Sequence, residues 1–306
     1  MVSWHITQQT HVNRVDTKKG QVMKKQKTIK TMIFSVLMIS LSLVTVYASS
    51  KVYKYVDTGS ENVSEQEIIE GTTYVIKDNL NNKNLVGYYA DVDDNGTVDG
   101  VIFFDYTQGA DTTSGFLGDG VAVSPKTTGL ASYELKTVDG HDNVVVKTSN
   151  GDDRFYVIGL QDVKPASGDY TAYWYDSAFG KISDYSTVTS TAFGTGKTNT
   201  QTMKSKWDSS AYGSQNTGDM WSINFGDWFV PSKDEWSVLG SNLKKVATGT
   251  YNSMTFDSGA SLGFSGGYWS SSLLDANRAW NVNFFGYMNS GGMFIIYEWV
   301  RLATTF

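Results

Sequence analysis

Asp91, Asp93, Asn95 and Asp99 place oxygen-bearing side chains at positions 1, 3, 5 and 9 of a nine-residue run, with Gly96 at position 6. This is the first part of a calcium loop, in which alternate side chains converge on a hard cation and the glycine makes the sharp turn. The bidentate glutamate of such a loop is missing at position 12, where Ile102 stands. The same run also reads as a plain hairpin, because the β-prone stretches Val86 to Val92 and Val98 to Phe104 flank Asn95-Gly96, a favoured tight-turn pair. The residues leave both readings open: Ca2+ held by Asp91, Asp93, Asn95 and Asp99, or a hairpin without an ion.

Carboxylates are the main reactive material. The chain has no cysteine, which excludes disulfides, thiolate metal sites and a cysteine nucleophile. It has three histidines, His5, His11 and His141, too few for a histidine metal cluster. Asp227, Asp234, Glu235, Asp257 and Asp275 lie among aromatics and could supply the acid pair of a glycoside hydrolase. Helix caps and solvated surface explain the same acids. Gly194-Thr195-Gly196-Lys197-Thr198 resembles the end of a phosphate loop, but Thr191 stands where that loop needs its first glycine. We read it as a glycine-rich loop into a helix cap, and expect no nucleotide.

The segment Phe284 to Trp299 is the least ordinary part of the chain. Met293 to Tyr297 is five consecutive apolar or aromatic residues, where a half-exposed strand should alternate. It is either a fully buried strand or an exposed binding surface, since large aromatics mixed with Gly, Ser and Asn have the composition of a paratope.

The elements that must position these residues read as α+β. Of 306 residues, 40% are hydrophobic and 14% aromatic, with 30 glycines against 3 prolines, a turn-rich folded composition. Lys24, Lys25, Lys27 and Lys30 precede the uncharged run Met32 to Tyr47, and Ala48 offers a cleavage point. Residues 23–48 are thus expected to be a signal peptide of a secreted or surface protein, with an uncleaved anchor as the alternative and residues 1–22 a mis-assigned upstream extension. Beyond Ala48 there are 18 Lys and Arg against 30 Asp and Glu, a formal charge of −12 that disfavours nucleic acid. Residues 49–71 read as a linker or stalk with a short helix over Glu65 to Glu70, capped by Ser64 and stopped by Gly71. From residue 72 to 306 lies the main domain. Its first half carries expected strands at Thr73 to Ile76, Asn143 to Lys147 and Arg154 to Leu160. All tryptophans after the leader fall from Trp174 onward. Ser232 and Glu235 form a capping box that starts a helix over about 233–245, and Thr198 and Gln201 suggest a second box for a helix near 199–208.

Trp228-Phe229-Val230-Pro231-Ser232, Tyr268-Trp269-Ser270-Ser271-Ser272, Ala279-Trp280-Asn281-Val282-Asn283-Phe284 and the terminal Val300-Arg301-Leu302 occur in an order that resembles secreted bacterial and phage domains of C-type lectin-like fold. These are the domains related to formylglycine-generating enzymes and to the C-terminal domain of a collagen-like adhesin. The resemblance covers about 72–306. Formylglycine generation needs active-site cysteines, so it implies a non-enzymatic receptor or adhesin with a protein or glycan ligand on a cell or phage surface. It further implies a variable protein of a diversity-generating retroelement, in which adenine-directed mutagenesis rewrites asparagine codons near the C-terminus. Leu273, Leu274, Arg278, Phe285, Ser290, Phe294, Ile295 and Tyr297 are residue types reachable from an asparagine codon; with Tyr287 they form the expected ligand-binding set. Glu298, Trp299, Met288 and Met293 are not reachable in that way. Trp269, Trp280, Val300 and Leu302 are expected in the core.

Overall fold

A computed structural model describes residues 51–55, 66–70, 80, 83–112, 120–175, 189–209, 216–283, 287–292 and 296–306. The expected leader 1–48 and the expected strand at 73–76 lie outside these residues. Among them no helix is long and apolar enough to cross a membrane. The chain divides into two compact units, Met1–Asp57 with Glu65–Tyr74, and Thr58–Ser64 with Val75–Phe306.

In the first unit, strand β1 (Lys51–Tyr55) pairs antiparallel with β2 (Gln66–Glu70), Val52 opposite Ile69. The helix expected over Glu65 to Glu70 is therefore a strand. Ser64 and Gly71 are local signals only, and the β-branched pair Ile68-Ile69 suits a ladder once a partner strand is present.

In the second unit, the strands β3 (Tyr89–Asp91), β4 (Gly100–Asp105), β7 (Tyr133–Val138), β8 (His141–Lys147), β9 (Phe155–Gly159) and β16 (Ala303–Thr305) make a six-stranded sheet in the order β16-β9-β4-β3-β8-β7. Only β3 and β8 are parallel. The central strands are apolar without interruption because both faces are covered. Val101, Phe103, Val144, Val146, Tyr156 and Ile158 face one cluster; Ile102, Val145, Phe155 and Val157 face another, closed by Leu85, Leu135 and Phe306. Small antiparallel pieces flank the sheet: β5 (Ala110–Asp111) with β6 (Ala122–Val123), and β10 (Ala247–Thr248), β11 (Met254–Phe256) and β12 (Ser261–Leu262). Arg154 locks the segment before β3 to the sheet. Buried with Asp105, it donates from Nε and Nη2 to the two carboxylate oxygens at 2.8 Å each, and from Nη1 and Nη2 to the carbonyls of Leu80 and Lys83.

The first face of the sheet is covered by helix α2 (Lys233–Val246), whose Trp236, Leu239 and Leu243 are fully buried. Its capping box is present as expected: Glu235 N–H donates to Ser232 Oγ, and Ser232 N–H to Glu235 Oε2. Helix α1 (Gly196–Ser209) begins two residues before Thr198, so the second expected box does not form. The amides of Gly194 and Gly196 instead donate to Glu235 Oε1 at 3.1 and 3.2 Å, and a Cβ on Gly196 would lie 2.2 Å from Glu235 Oε2. One carboxylate thus starts both helices. The amides of the Gly194–Gly196 turn are thus taken by a side chain of the protein itself.

The last sheet is a meander of β13 (Gly267–Leu273), β14 (Arg278–Asn283) and β15 (Tyr287–Gly292), with a register shift between Trp269 and Leu273. With two helices and short, mostly antiparallel strands among the described residues, the fold is α+β.

Candidate functional site

The Trp-Ser-Ser-Ser stretch of β13 is an anchor. Trp269 is fully buried and donates Nε1–H to Ala172 O at 2.8 Å; Trp174 donates to Ser270 O, and Trp236 to Trp269 O. Ser271 N–H donates to Pro231 O, and Ser272 Oγ accepts from Lys233 N–H while donating to Ser190 O. The start of α2, the strand and the segment 189–190 are tied at one place. Trp280, expected in the core beside Trp269, is only half-buried, on β14 opposite Ser290, with the Lys233 ammonium 5.2 Å from its ring.

Of the expected ligand set, Phe285, Phe294 and Ile295 lie outside the described residues. Tyr287 and Ser290 occupy register positions on β15 opposite Asn283 and Trp280. Leu273 is buried in the cluster around Trp174 and Trp221, so it offers no side chain to a ligand: the register shift turns it inward beside Ala279. Leu274 is 38% exposed. Arg278 is exposed but paired, its Nη2 2.6 Å from Asp275 Oδ2.

Tyr297 is the member that stands out, and it has company. The segments 170–175 and 296–300 are bridged at Ala172 and Glu298, which exchange both backbone hydrogen bonds at 2.9 and 3.1 Å. Pairing at that point sets Tyr173 opposite Tyr297, their rings 3.9 Å apart at 34° and their hydroxyls in contact. Tyr297 remains 55% exposed. Beside them Tyr170, 65% exposed, lies 5.9 Å from the Trp299 ring and carries the Lys164 ammonium 3.7 Å from its own. Beneath the bridge the Glu298 carboxylate takes Asn281 Nδ2–H at 2.7 Å, and burial raises its pKa. A Cβ on Gly267 would meet Glu298 Oε2 at 2.2 Å, so a larger residue there would displace the carboxylate. Tyr297 is among the residues expected from the sequence to bind ligand, and Tyr170 and Tyr173 are not. Nothing local marks them, because their partner strand comes more than a hundred residues later.

The Asp91 to Asp99 loop is the second cluster. Tyr89 pairs with Val101 and Ala90 with Gly100, so the hairpin exists. Its connection is not the tight Asn95-Gly96 turn but a wide loop over 92–99. The cause is the fully buried Asp91, whose Oδ1 accepts from Asn95 N–H at 3.1 Å and Oδ2 from Gly96 N–H at 2.9 Å, drawing the loop inward. Asp99 Oδ2 accepts from Val92 N–H at 2.7 Å. One oxygen from each of Asp91, Asp93 and Asp99 lies within 4.8 Å of the others, and burial, then the neighbouring Asp93 and Asp91, raise the Asp99 pKa. Asn95 instead serves the loop, Nδ2 donating to Asp93 and Oδ1 accepting from Thr97 N–H. Three hard oxygens are a fitting start for Ca2+, which takes six to eight oxygens, some of them from carbonyls and water. Ile102 is buried in the sheet and supplies none.

The other acids are placed differently. Glu235 is fully buried, its two oxygens accepting three backbone amides, and burial pushes its pKa to about 7 against those bonds. Asp275 is held by Arg278, and Asp227 is exposed. Comparison with known proteins returns no match of this chain to a family model, to a curated protein or to a solved structure.

Proposed function

We propose that this chain is an exported, non-enzymatic ligand-binding protein of C-type lectin-like fold, a receptor or adhesin that engages a protein or glycan on a cell or phage surface. The observation that carries the reading is the aromatic surface of Tyr170, Tyr173, Tyr297 and Trp299. Tyrosines stacked on one another, with fixed backbones and open faces, give large contact area at little cost in side-chain entropy. Tyr297 and Trp299 come from the C-terminal segment and Tyr170 and Tyr173 from the segment bridged to it, beside strand β13 of the meander that carries the remaining candidate positions. Placement of the acids supports binding over hydrolysis: Glu235 is occupied by backbone amides and Asp275 by arginine.

Diversification is the finer part of the proposal, with Leu274, Arg278, Phe285, Tyr287, Ser290, Phe294, Ile295 and Tyr297 as the positions altered or presented. Its test is genomic: a neighbouring reverse transcriptase with an adenine-rich near-copy of the segment encoding 273–299 supports it, and the absence of both sinks it. The binding reading is tested by fluorescently labelled full chain on intact bacterial cells and on arrays of glycans and surface proteins. Retention of the native chain and loss on Tyr297→Ala with Tyr170→Ala is the expected result; equal retention of both overturns it. Ca2+ held by Asp91, Asp93 and Asp99 is a second element, stabilising the wide loop and relieving repulsion among the three carboxylates.

A further inference from the structure

Most tryptophans of the second half have a partner for the indole. Trp174, Trp207, Trp236 and Trp269 donate Nε1–H to Ser270 O, Asp219 Oδ2, Trp269 O and Ala172 O. Trp221 packs edge-on against Trp174, Trp280 lies under Lys233, and Trp299 lies beside Tyr170. Trp228 is the exception. Half-buried, it makes no ring pair, no cation contact and no Nε1 hydrogen bond among the described residues. Its backbone is nevertheless fixed, since Trp228 N–H donates to Phe225 O at 2.9 Å and the adjoining Phe229 exchanges both hydrogen bonds with Ala303 of β16.

The Trp228 ring packs against both the Trp174–Trp221 cluster and the Ile102–Phe155 cluster, and its remaining surface lines two cavities. One, of about 420 Å³, runs past Leu160, Val163 and Leu302 to Gln161 and Asp99; the other, of about 310 Å³, runs to Gln201, Lys197, Lys204 and Asp227. Asn224, Phe225 and Trp228 line both, so the two cavities adjoin at the indole. Each half is the size of a small-molecule site. The side-chain amides of Gln161, Gln201 and Asn224 are exposed and make no hydrogen bond among the described residues.

An apolar floor with an indole N–H that makes no hydrogen bond, bordered by planar amides that both donate and accept, matches a molecule with an apolar face and a rim of hydroxyls. The charges select further. Asp99 and Asp227 stand one in each half, while Lys204 is bound to Asp208 at 2.7 Å and lies over Trp207, and the Lys197 charge already acts on Asp153. A polyanion would meet the Asp227 carboxylate, and that of Asp99 where no cation neutralises it, with both lysines already beside acids. We infer that the Trp228 groove binds a neutral oligosaccharide, a pyranose ring stacking on the indole and its hydroxyls meeting Asn224, Gln161 and Gln201. None of these residues belongs to the Tyr170–Tyr297 surface, so the groove is a second site, independent of the first.

The test is calorimetric titration of the full chain with neutral hexasaccharides drawn from an array of plant, fungal and bacterial glycans, alongside a sulfated hexasaccharide and an uncharged aromatic-rich decapeptide. A neutral hexasaccharide binds, and the doubly exposed Asn224→Ala/Gln161→Ala variant weakens it at least tenfold with the melting temperature unchanged. Trp228→Phe, which keeps an apolar ring in place but removes the indole N–H, weakens it by a smaller factor. Failure of every neutral glycan to bind, affinity indifferent to the double variant, or tighter binding of the sulfated sugar or the peptide overturns the assignment.

Discussion

The aromatic residues around β13 and those around the 172–298 bridge belong to the same class and do opposite work. Trp174, Trp236 and Trp269 are fully buried, each with its N–H on a backbone carbonyl, so both the apolar body and the polar handle are used by the fold. Tyr170, Tyr173 and Tyr297 lean on each other or on Trp299 and leave ring faces in water. Buried area, not residue type, separates scaffold from surface here. Trp280 lies between the two, and shows why a motif position alone does not settle the matter.

The largest effects should come from the scaffold side. Trp269→Ala or Trp236→Ala should cost about 3 to 5 kcal/mol in chemical denaturation, the range for removing a large aromatic from a packed core. Trp280→Ala should cost clearly less, because part of its ring already meets solvent. Equal losses at Trp280 and Trp269 would erase the distinction. Glu235→Ala should follow at about 3 kcal/mol or more, since it removes the cap of α2 and leaves the buried amides of Gly194, Gly196 and Ser232 unpaired.

Glu235 also gives the scaffold a pH signature. With its folded pKa at about 7 and its ordinary value at 4.5, the folded chain holds a proton across that window that the unfolded chain has released. Stability from this group is therefore full below pH 4.5 and falls as pH rises through 7, with a slope of up to about 1.4 kcal/mol per pH unit. Glu235→Gln should flatten that part of the stability profile. A profile identical to the native one would contradict the assignment. At the Asp91 loop, a chelator should lower the melting temperature of calcium-loaded protein; an ion at a hundred times its dissociation constant contributes about 2.7 kcal/mol. No shift leaves the amide bonds of Asp91 and Asp99 as the whole explanation of the loop.

What the sequence made legible was whatever its neighbours decide. The Ser232–Glu235 box lies within four residues and was readable outright, as were the β-prone runs that became β4, β8 and β9. The start of α1 was not, because the acceptor that draws Gly194 and Gly196 into the turn is Glu235, some forty residues away. The strand over 66–70 was hidden in the same way, its partner β1 lying beyond a connection and outweighing local caps. Asn95-Gly96 looked like a turn because it is one in most hairpins; here a buried aspartate four residues earlier claims both amides. Among the candidate ligand positions, the sequence left the run to Tyr297 open between core and surface and the structure exposes Tyr297, whereas Leu273 is turned inward by a register shift that no pattern of residue types announces.

The most direct test of the account is paired melting and ligand-affinity measurement on Tyr297→Ala and Tyr170→Ala against Trp269→Ala, using the ligand recovered from the cell and array screen. The two tyrosine variants should melt within about 0.5 kcal/mol of the native chain and lose about 2 kcal/mol or more of binding, while Trp269→Ala loses its fold stability first. Tyrosine variants as unstable as Trp269→Ala, or stable variants that bind as the native chain does, would contradict it.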